Sequence, residues 1–247
     1  MAIYSYVDSN RPSLSDSEAT PLPGICAVVA ASDFNSSHFM GLNKRNAFDC
    51  IVAVDGGHRH LQQCRIFPDI VIGDFDSLGY VPGAFEVLQY PTRKNKSDLE
   101  LAFDWAVAQG YRKFIVYGAL GRRTDHTLSA LQIFAKLAEG GFADAPCNVQ
   151  VVDESSVLKV LCGPNRFHLP GMESGIVSVI AAGGQASGVS ETGLMFPLWK
   201  HTLSSRTSLG LSNELVGKPA SIVLDEGTLY VFYPLPSDEF LLNEAHQ

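Results

Sequence analysis

The sequence predicts an α/β domain with a mostly parallel, doubly wound sheet, followed by an all-β sandwich domain. Three observations carry this reading. Up to about residue 141, continuous apolar runs alternate with helical patterns, as strands covered by helices on both faces require. Several of those runs end directly in acids, which an open α/β sheet would present along its ligand-binding edge. After Pro146 the runs become short, alternating and β-branched, with Gly, Pro and Ser between them, as in antiparallel sheets. The expected domains are a loose tail at 1–23, the α/β domain at 24–145 and the sandwich at 146–247.

The tail contains Ser, Pro and Asp but no basic start and no apolar segment, so it does not read as a secretory signal. Residues 25–31 form the first expected strand, and Cys50–Val54, Ile70–Ile72, Glu86–Tyr90 and Lys113–Tyr117 the next four. Ser97-Asp-Leu-Glu100 is a capping box. The helix behind it is expected to turn Leu101, Trp105 and Ala108 to the core and to stop at Gly110. Thr124 or Asp125 is the expected cap of a further helix, with Leu128, Leu131, Phe134 and Leu137 facing inward. Beyond Pro146, strands are expected at 149–152, 157–161, 176–181, 221–224 and 229–233, with no long amphipathic helix.

Chemistry concentrates in Ile70-Val-Ile-Gly-Asp-Phe-Asp-Ser77. Asp74 and Asp76 stand at i and i+2, which share a face in extended backbone, so both carboxylates can meet one cation. Hard divalent ions such as Mg²⁺ are held in this way, with a substrate phosphate completing the shell. Asp55-Gly-Gly57 follows the second strand, Asp98 closes the loop after the fourth, and Asp125-His126 follows the fifth. Four strands thus deliver acid at or beyond their carboxyl ends. Turn composition alone does not produce that phase, and a metal and phosphate site does. Asp98 and Asp125 also suit the first turn of a helix, where acid complements the dipole. Arg93, Lys94, Lys96, Arg122 and Arg123 lie at the same edge and can neutralise phosphate. His126 reads as a positioning group, because no second His or Cys stands at ligand spacing.

The net charge of −8 argues against nucleic acid as the main partner. No apolar stretch approaches the roughly 18–20 residues of a membrane span. Five scattered cysteines without a C-x-x-C pair suit reduced thiols in a cytoplasm. Neither G-x-x-x-x-G-K-[ST] nor a G-x-G-x-x-G after the first strand is present, which sets aside Walker-type and dinucleotide sites.

Taken together, Asp55-Gly-Gly57, Gly73-Asp-Phe-Asp-Ser77, Lys96-Ser-Asp98 with Glu100, and Gly121-Arg-Arg-Thr-Asp-His126 resemble the ordered motifs of thiamine pyrophosphokinases. Gly193-Leu-Met-Phe-Pro-Leu198 and Gly210-Leu-Ser-Asn-Glu214 resemble that family's bacterial thiamine-binding segments. The resemblance spans about residues 25–233. It implies transfer of pyrophosphate from ATP to thiamine, giving thiamine diphosphate and AMP. It also implies a homodimer with thiamine between the ATP domain of one subunit and the sandwich of the other. On this resemblance Asp74, Asp76, Asp98 and Asp125 are the catalytic and Mg²⁺-holding candidates. Asp55, Arg93, Lys94, Lys96, Arg122, Arg123 and His126 fall to ATP. Phe196 would stack on the thiazolium, and Ser212 and Asn213 would hydrogen-bond the aminopyrimidine.

Three positions depart from the family pattern. Gly-Gly-Arg usually precedes the Asp-His pair, and Arg122 replaces the second Gly; position 195, commonly basic, is Met; position 196, commonly Trp or Tyr, is Phe. Two other activities suit the same residues: a Mg²⁺-dependent nucleotide phosphohydrolase and a non-catalytic thiamine- or nucleotide-binding protein.

Overall fold

The computed structural model describes residues 24–246 apart from 77, 143 and 144. The expected tail at 1–23, and Ser77 of the acidic motif, lie outside the described residues. The chain divides into two compact units, the first reaching Ala130 and the second running Leu131–Ala245.

The first unit contains β1 (Ile25–Val29), α1 (Ser36–Lys44), β2 (Cys50–Val54), α2 (Gly57–Gln63), β3 (Ile70–Gly73), β4 (Glu86–Gln89), α3 (Asp98–Ala108) and β5 (Lys113–Tyr117), and α4 (Thr124–Ala138) begins in it. Its strands are all parallel, in the order β5-β1-β2-β3-β4. The direction of winding reverses between β1 and β5, which makes their carboxyl ends the switch point of a doubly wound sheet. Residues throughout β1, β2 and β3 are buried, the mark of strands covered on both faces. Phe103 of α3 meets Phe114 edge-on at 5.2 Å, and Phe39 of α1 meets Tyr117 edge-on at 5.3 Å. Positions 114 and 117 point to opposite faces of β5, so α1 and α3 cover the two sides.

Two helix faces differ from expectation. On α3, Ala102, Phe103, Ala106 and Val107 are buried, while Leu101 and Trp105 are half-buried and Ala108 is exposed. The helix is apolar almost all round, so its period does not choose the face. Small Ala102 and Ala106 let it approach the sheet, and Phe103 then reaches Phe114. Its start is as expected: the Ser97 hydroxyl accepts from the Glu100 N–H at 3.2 Å. On α4, Phe134 and Leu137 are buried but Leu128 is 59% exposed. Thr124 is already helical, and Arg123, one residue before it, offers the carbonyl that accepts from the Thr127 N–H. The helix therefore starts ahead of both expected caps.

The rest of α4 belongs to the second unit, where it is tied to a strand of that unit. There follow β6 (Asn148–Val152), β7 (Ser156–Cys162), β8 (Asn165–His168), β9 (Gly175–Ala181), β10 (Gln185–Thr192), β11 (Leu198–Ser204), β12 (Asn213–Leu215), β13 (Ser221–Leu224), β14 (Thr228–Pro234) and α5 (Asp238–His246). The Tyr230 hydroxyl of β14 donates to Leu131 O, and the Thr228 hydroxyl to Glu139, each at 2.6 Å. These bonds explain why the division falls within the helix rather than at the change of composition near Pro146.

One antiparallel sheet of this unit runs β6-β7-β14-β9-β12 and the other β8-β13-β10-β11. Val157, Val177, Val179, Val189, Ile222 and Leu229 are among the side chains buried in this unit. Strands β8, β10, β11 and β12 and helix α5 are additions to the sequence reading. α5 is anchored by polar side chains: the Asn148 amide donates to Glu244 O at 2.6 Å, the Gln150 amide to Leu241 O at 3.2 Å, and Lys159 lies 3.4 Å from the Glu244 carboxylate. No helix among the described residues is long and apolar enough to cross a membrane.

Candidate active site

The first unit gathers its acids at the carboxyl ends of β2 and β3. Asp55 leaves β2 with φ +44, and its N–H donates to Ile72 O of β3 at 2.9 Å. Gly73 permits this closeness, since a Cβ there would stand 3.1 Å from both Cα and Cβ of Asp55. Phe75 takes φ +63, and its ring is buried. That ring anchors the turn between Asp74 and Asp76. Carboxylate oxygens of Asp55, Asp74 and Asp76 consequently lie within 4.8 Å of one another.

A fourth acid joins through a lysine. Lys94 places its ammonium 2.7 Å from Asp74 Oδ2 and 3.1 Å from Asp98 Oδ1, with all three side chains largely buried. Asp98 is fixed as the first residue of α3. Asp74 and Asp98 share this partner yet shift in opposite directions. The Lys94 hydrogen bond dominates at Asp74 and holds its carboxyl below the usual range. Burial dominates at Asp98 and raises it, with Asp74 and Asp55 adding to the rise. Burial works against the Lys94 ammonium, but its bonds to the two carboxylates outweigh that and raise its pKa.

The donor set fits a hard divalent ion: three carboxylates in reach of one another, with no Cys or His among them. The Lys94 ammonium supplies positive charge between Asp74 and Asp98.

The other predicted residues lie elsewhere. Arg123 grips Asp125 with two bonds, at 2.6 and 3.2 Å, on the exposed head of α4, and Asp125 is not in the group of three. Arg122 reaches Asp33 at 3.2 Å, and Lys96 reaches Asp104 at 2.5 Å. Arg93 and His126 are exposed. Arg122 adopts φ +43, a backbone region that favours glycine, which accounts for the glycine usual in the resembling motif.

Sequence reasoning missed Ser32 and Asp33, which follow β1 at the switch point. The Ser32 N–H donates to Gly118 O at 2.7 Å, and its hydroxyl is buried without a partner. A Cβ at Gly121 would come within 2.3 Å of Asp33 Oδ2, so this crevice is tight. The available signal was the pair of polar residues directly after the first apolar run.

In the second unit, Phe196 is 62% exposed, with Met195, Trp199 and Leu211 exposed as well. Asn213 Oδ1 accepts from the N–H groups of Phe196 and Glu214, both at 2.9 Å. Its amide nitrogen donates to Phe196 O and to Glu191 Oε2, both at 2.8 Å. Ser212 is exposed at φ +57, and its N–H donates to the Ser178 hydroxyl. Glu191 is fully buried, and that burial pushes its carboxyl up to about 7, against a smaller opposing effect of Asn213. Nothing in the polar run Gln185–Thr192 marks Glu191 as internal.

Comparison with known proteins agrees in both halves. A family model described as thiamin pyrophosphokinase, catalytic domain, matches residues 43–142, and one described as thiamin pyrophosphokinase, vitamin B1 binding domain, matches residues 165–229. Thiamine pyrophosphokinase of Bacillus subtilis (strain 168) is 25% identical over 185 residues, covering 72% of this chain and 84% of that protein. The crystal structure of thiamin pyrophosphokinase from Geobacillus thermodenitrificans is 28% identical with a TM-score of 0.67, covering 87% of this chain and 99% of its own. The Bacillus subtilis structure, at 21% identity, shares the fold with a TM-score of 0.70, over 85% of this chain and 98% of its own. Fold and matched domains define a two-part enzyme. The chain belongs to the thiamine pyrophosphokinase family.

Proposed function

We propose that the protein transfers the pyrophosphoryl group of ATP to the primary hydroxyl of thiamine, giving thiamine diphosphate and AMP. The observation that carries this reading is the convergence of Asp55, Asp74 and Asp76, linked through Lys94 to Asp98. These acids, with Asp125 as a further candidate, would hold Mg²⁺, which when bound supplies positive charge to the triphosphate. The remaining work falls to positioning and neutralisation by the chain.

In the reaction the thiamine oxygen bonds to the β-phosphorus, the bridge to the α-phosphate breaks, and AMP leaves. Asp98 is the side chain we assign to receive the hydroxyl proton. Lys94 stands beside it to balance charge, and Arg93, Lys96, Arg122, Arg123 and His126 are available from neighbouring loops. Phe196 offers an exposed face for the thiazolium cation, a contact worth about 0.5–2 kcal/mol. Ser212 lies on the adjoining loop, and Asn213 acts with it by holding Phe196.

In this reading residues 24–145 bind ATP and residues 146–247 bind thiamine. A homodimer would bring the two sites together across subunits, and the exposed Phe196, Trp199 and Leu211 are consistent with a surface that becomes covered. Five free cysteines are consistent with a cytoplasmic protein.

The test is to incubate the protein with ATP, Mg²⁺ and thiamine and to identify products by mass. Thiamine diphosphate and AMP in equal amounts are expected. Nucleotide breakdown that ignores thiamine would indicate the phosphohydrolase instead, and ligand-induced stabilisation without turnover would indicate a binding protein.

A further inference from the structure

Asn213 has no hydrogen-bonding capacity left for a ligand. Its amide oxygen accepts twice and its nitrogen donates twice, all within the protein. Two of those four bonds hold both backbone polar groups of Phe196, so the amide acts as a splint on that one residue. An amide has nearly the same shape when flipped, and in the flipped state every one of these bonds fails. The Phe196 and Glu214 N–H groups and the Phe196 carbonyl set the amide's orientation, and Glu191 Oε2 takes its remaining N–H as the one side-chain partner of the set.

Glu191 itself sits on β10, in register with Leu198 of β11 and Ile222 of β13. It is wholly buried, and its second oxygen, Oε1, has no hydrogen-bond partner. Gly210 closes over that oxygen, with its Cβ position 3.4 Å away. A buried carboxylate with one unused oxygen is a costly arrangement for a strand interior, where an apolar residue would pack without penalty. Its one bond is to the splint of an exposed aromatic ring.

We propose that Glu191 is a positioning residue for the thiazolium ring: it fixes the Asn213 amide, which fixes Phe196 for stacking. The inference rests on the reading of Phe196 as the thiamine-facing aromatic. Glu191 touches no substrate, and its action is confined to thiamine.

Steady-state kinetics with each substrate varied in turn tests this. Glu191→Leu removes the acceptor at similar volume and, assayed at pH 8 where the carboxyl is ionised, is expected to raise the thiamine KM about tenfold, the scale of a charged hydrogen bond, with kcat and the ATP KM within about twofold. Glu191→Gln keeps a carbonyl acceptor and is expected to bring the thiamine KM back to within about threefold of wild type. An unchanged thiamine KM in Glu191→Leu overturns the proposal, as does a parallel loss in both KM values and kcat. Should Glu191→Leu fail to fold, Asn213→Asp is compared with Asn213→Asp/Glu191→Gln, in which an amide again faces a carboxylate. A lower thiamine KM in the double variant supports the proposal, and no improvement overturns it. Wild-type protein that makes no thiamine diphosphate overturns the functional reading itself, and this inference with it.

Discussion

The Lys94 ammonium lies 2.7 Å from Asp74 and bridges from it to Asp98, so the acidic edge of the first unit carries its own cation. On the proposed reading, a divalent ion bound at Asp74 would share that carboxylate with the lysine or displace it. The lysine keeps partly buried acids paired until then.

Lys94→Met should therefore expose the underlying repulsion. Two partly buried carboxylates losing their partner should cost about 1–2 kcal/mol, or about 2–8 °C in melting temperature for a chain of this size. Magnesium should restore more stability to the variant than it adds to wild type. Equal magnesium-induced shifts in thermal melts of the two proteins would count against the neutralising role of Lys94.

Asp74→Asn should abolish turnover, by about 100-fold or more, because it removes charge from the centre of the group. The fold should survive, since the amide oxygen can still accept from the Asp76 N–H as the carboxylate does at 3.3 Å. Circular dichroism unchanged together with kcat within tenfold of wild type would remove Asp74 from the machinery.

Phe196→Ala should raise the thiamine KM about two- to thirtyfold, the factor that corresponds to an aromatic contact with a cation. The ring is exposed, so little packing is lost. Equal rises in the KM values for thiamine and ATP would assign the residue a packing role instead.

Glu191 gives stability a pH dependence of definite sign. Its carboxyl is raised by burial from 4.5 to about 7, so between those values the folded protein holds a proton that the unfolded chain releases. The contribution is complete below about 4.5 and is lost as pH rises through about 7, to a total of about 3 kcal/mol. Glu191→Gln should flatten that window. Denaturant unfolding at pH 5 and pH 8 measures it, and identical slopes for variant and wild type would refute the assignment.

Legibility in the sequence followed burial. β1, β2 and β3 are readable because strands covered on both faces must be apolar throughout. Asp55 and Asp74 are readable as edge acids because each directly follows such a strand or its closing glycine, with Asp76 two residues on; the sequence reading gives Asp55 to ATP, and its closeness to Asp74 and Asp76 depends on the pairing of β2 with β3. Strand β10, with its sequence QASGVSET, has no such signature and exists through its pairing with β11 and β13. The buried face of α3 was hidden by apolar residues around the whole helix. Ser32 and Glu191 were hidden for a different reason: whether a lone polar side chain is enclosed depends on distant segments, and Glu191 is enclosed by Gly210, which lies beyond strand β11 in the chain.

The anchoring of α5 by Asn148, Gln150 and Lys159 has a practical corollary for expression work. Shortening the chain ahead of Asp238 would strip the hydrogen-bond acceptors from three side chains on neighbouring strands and uncover the wall that Leu241 and Ala245 now shield. Such a trimmed product should be sticky and poorly recovered.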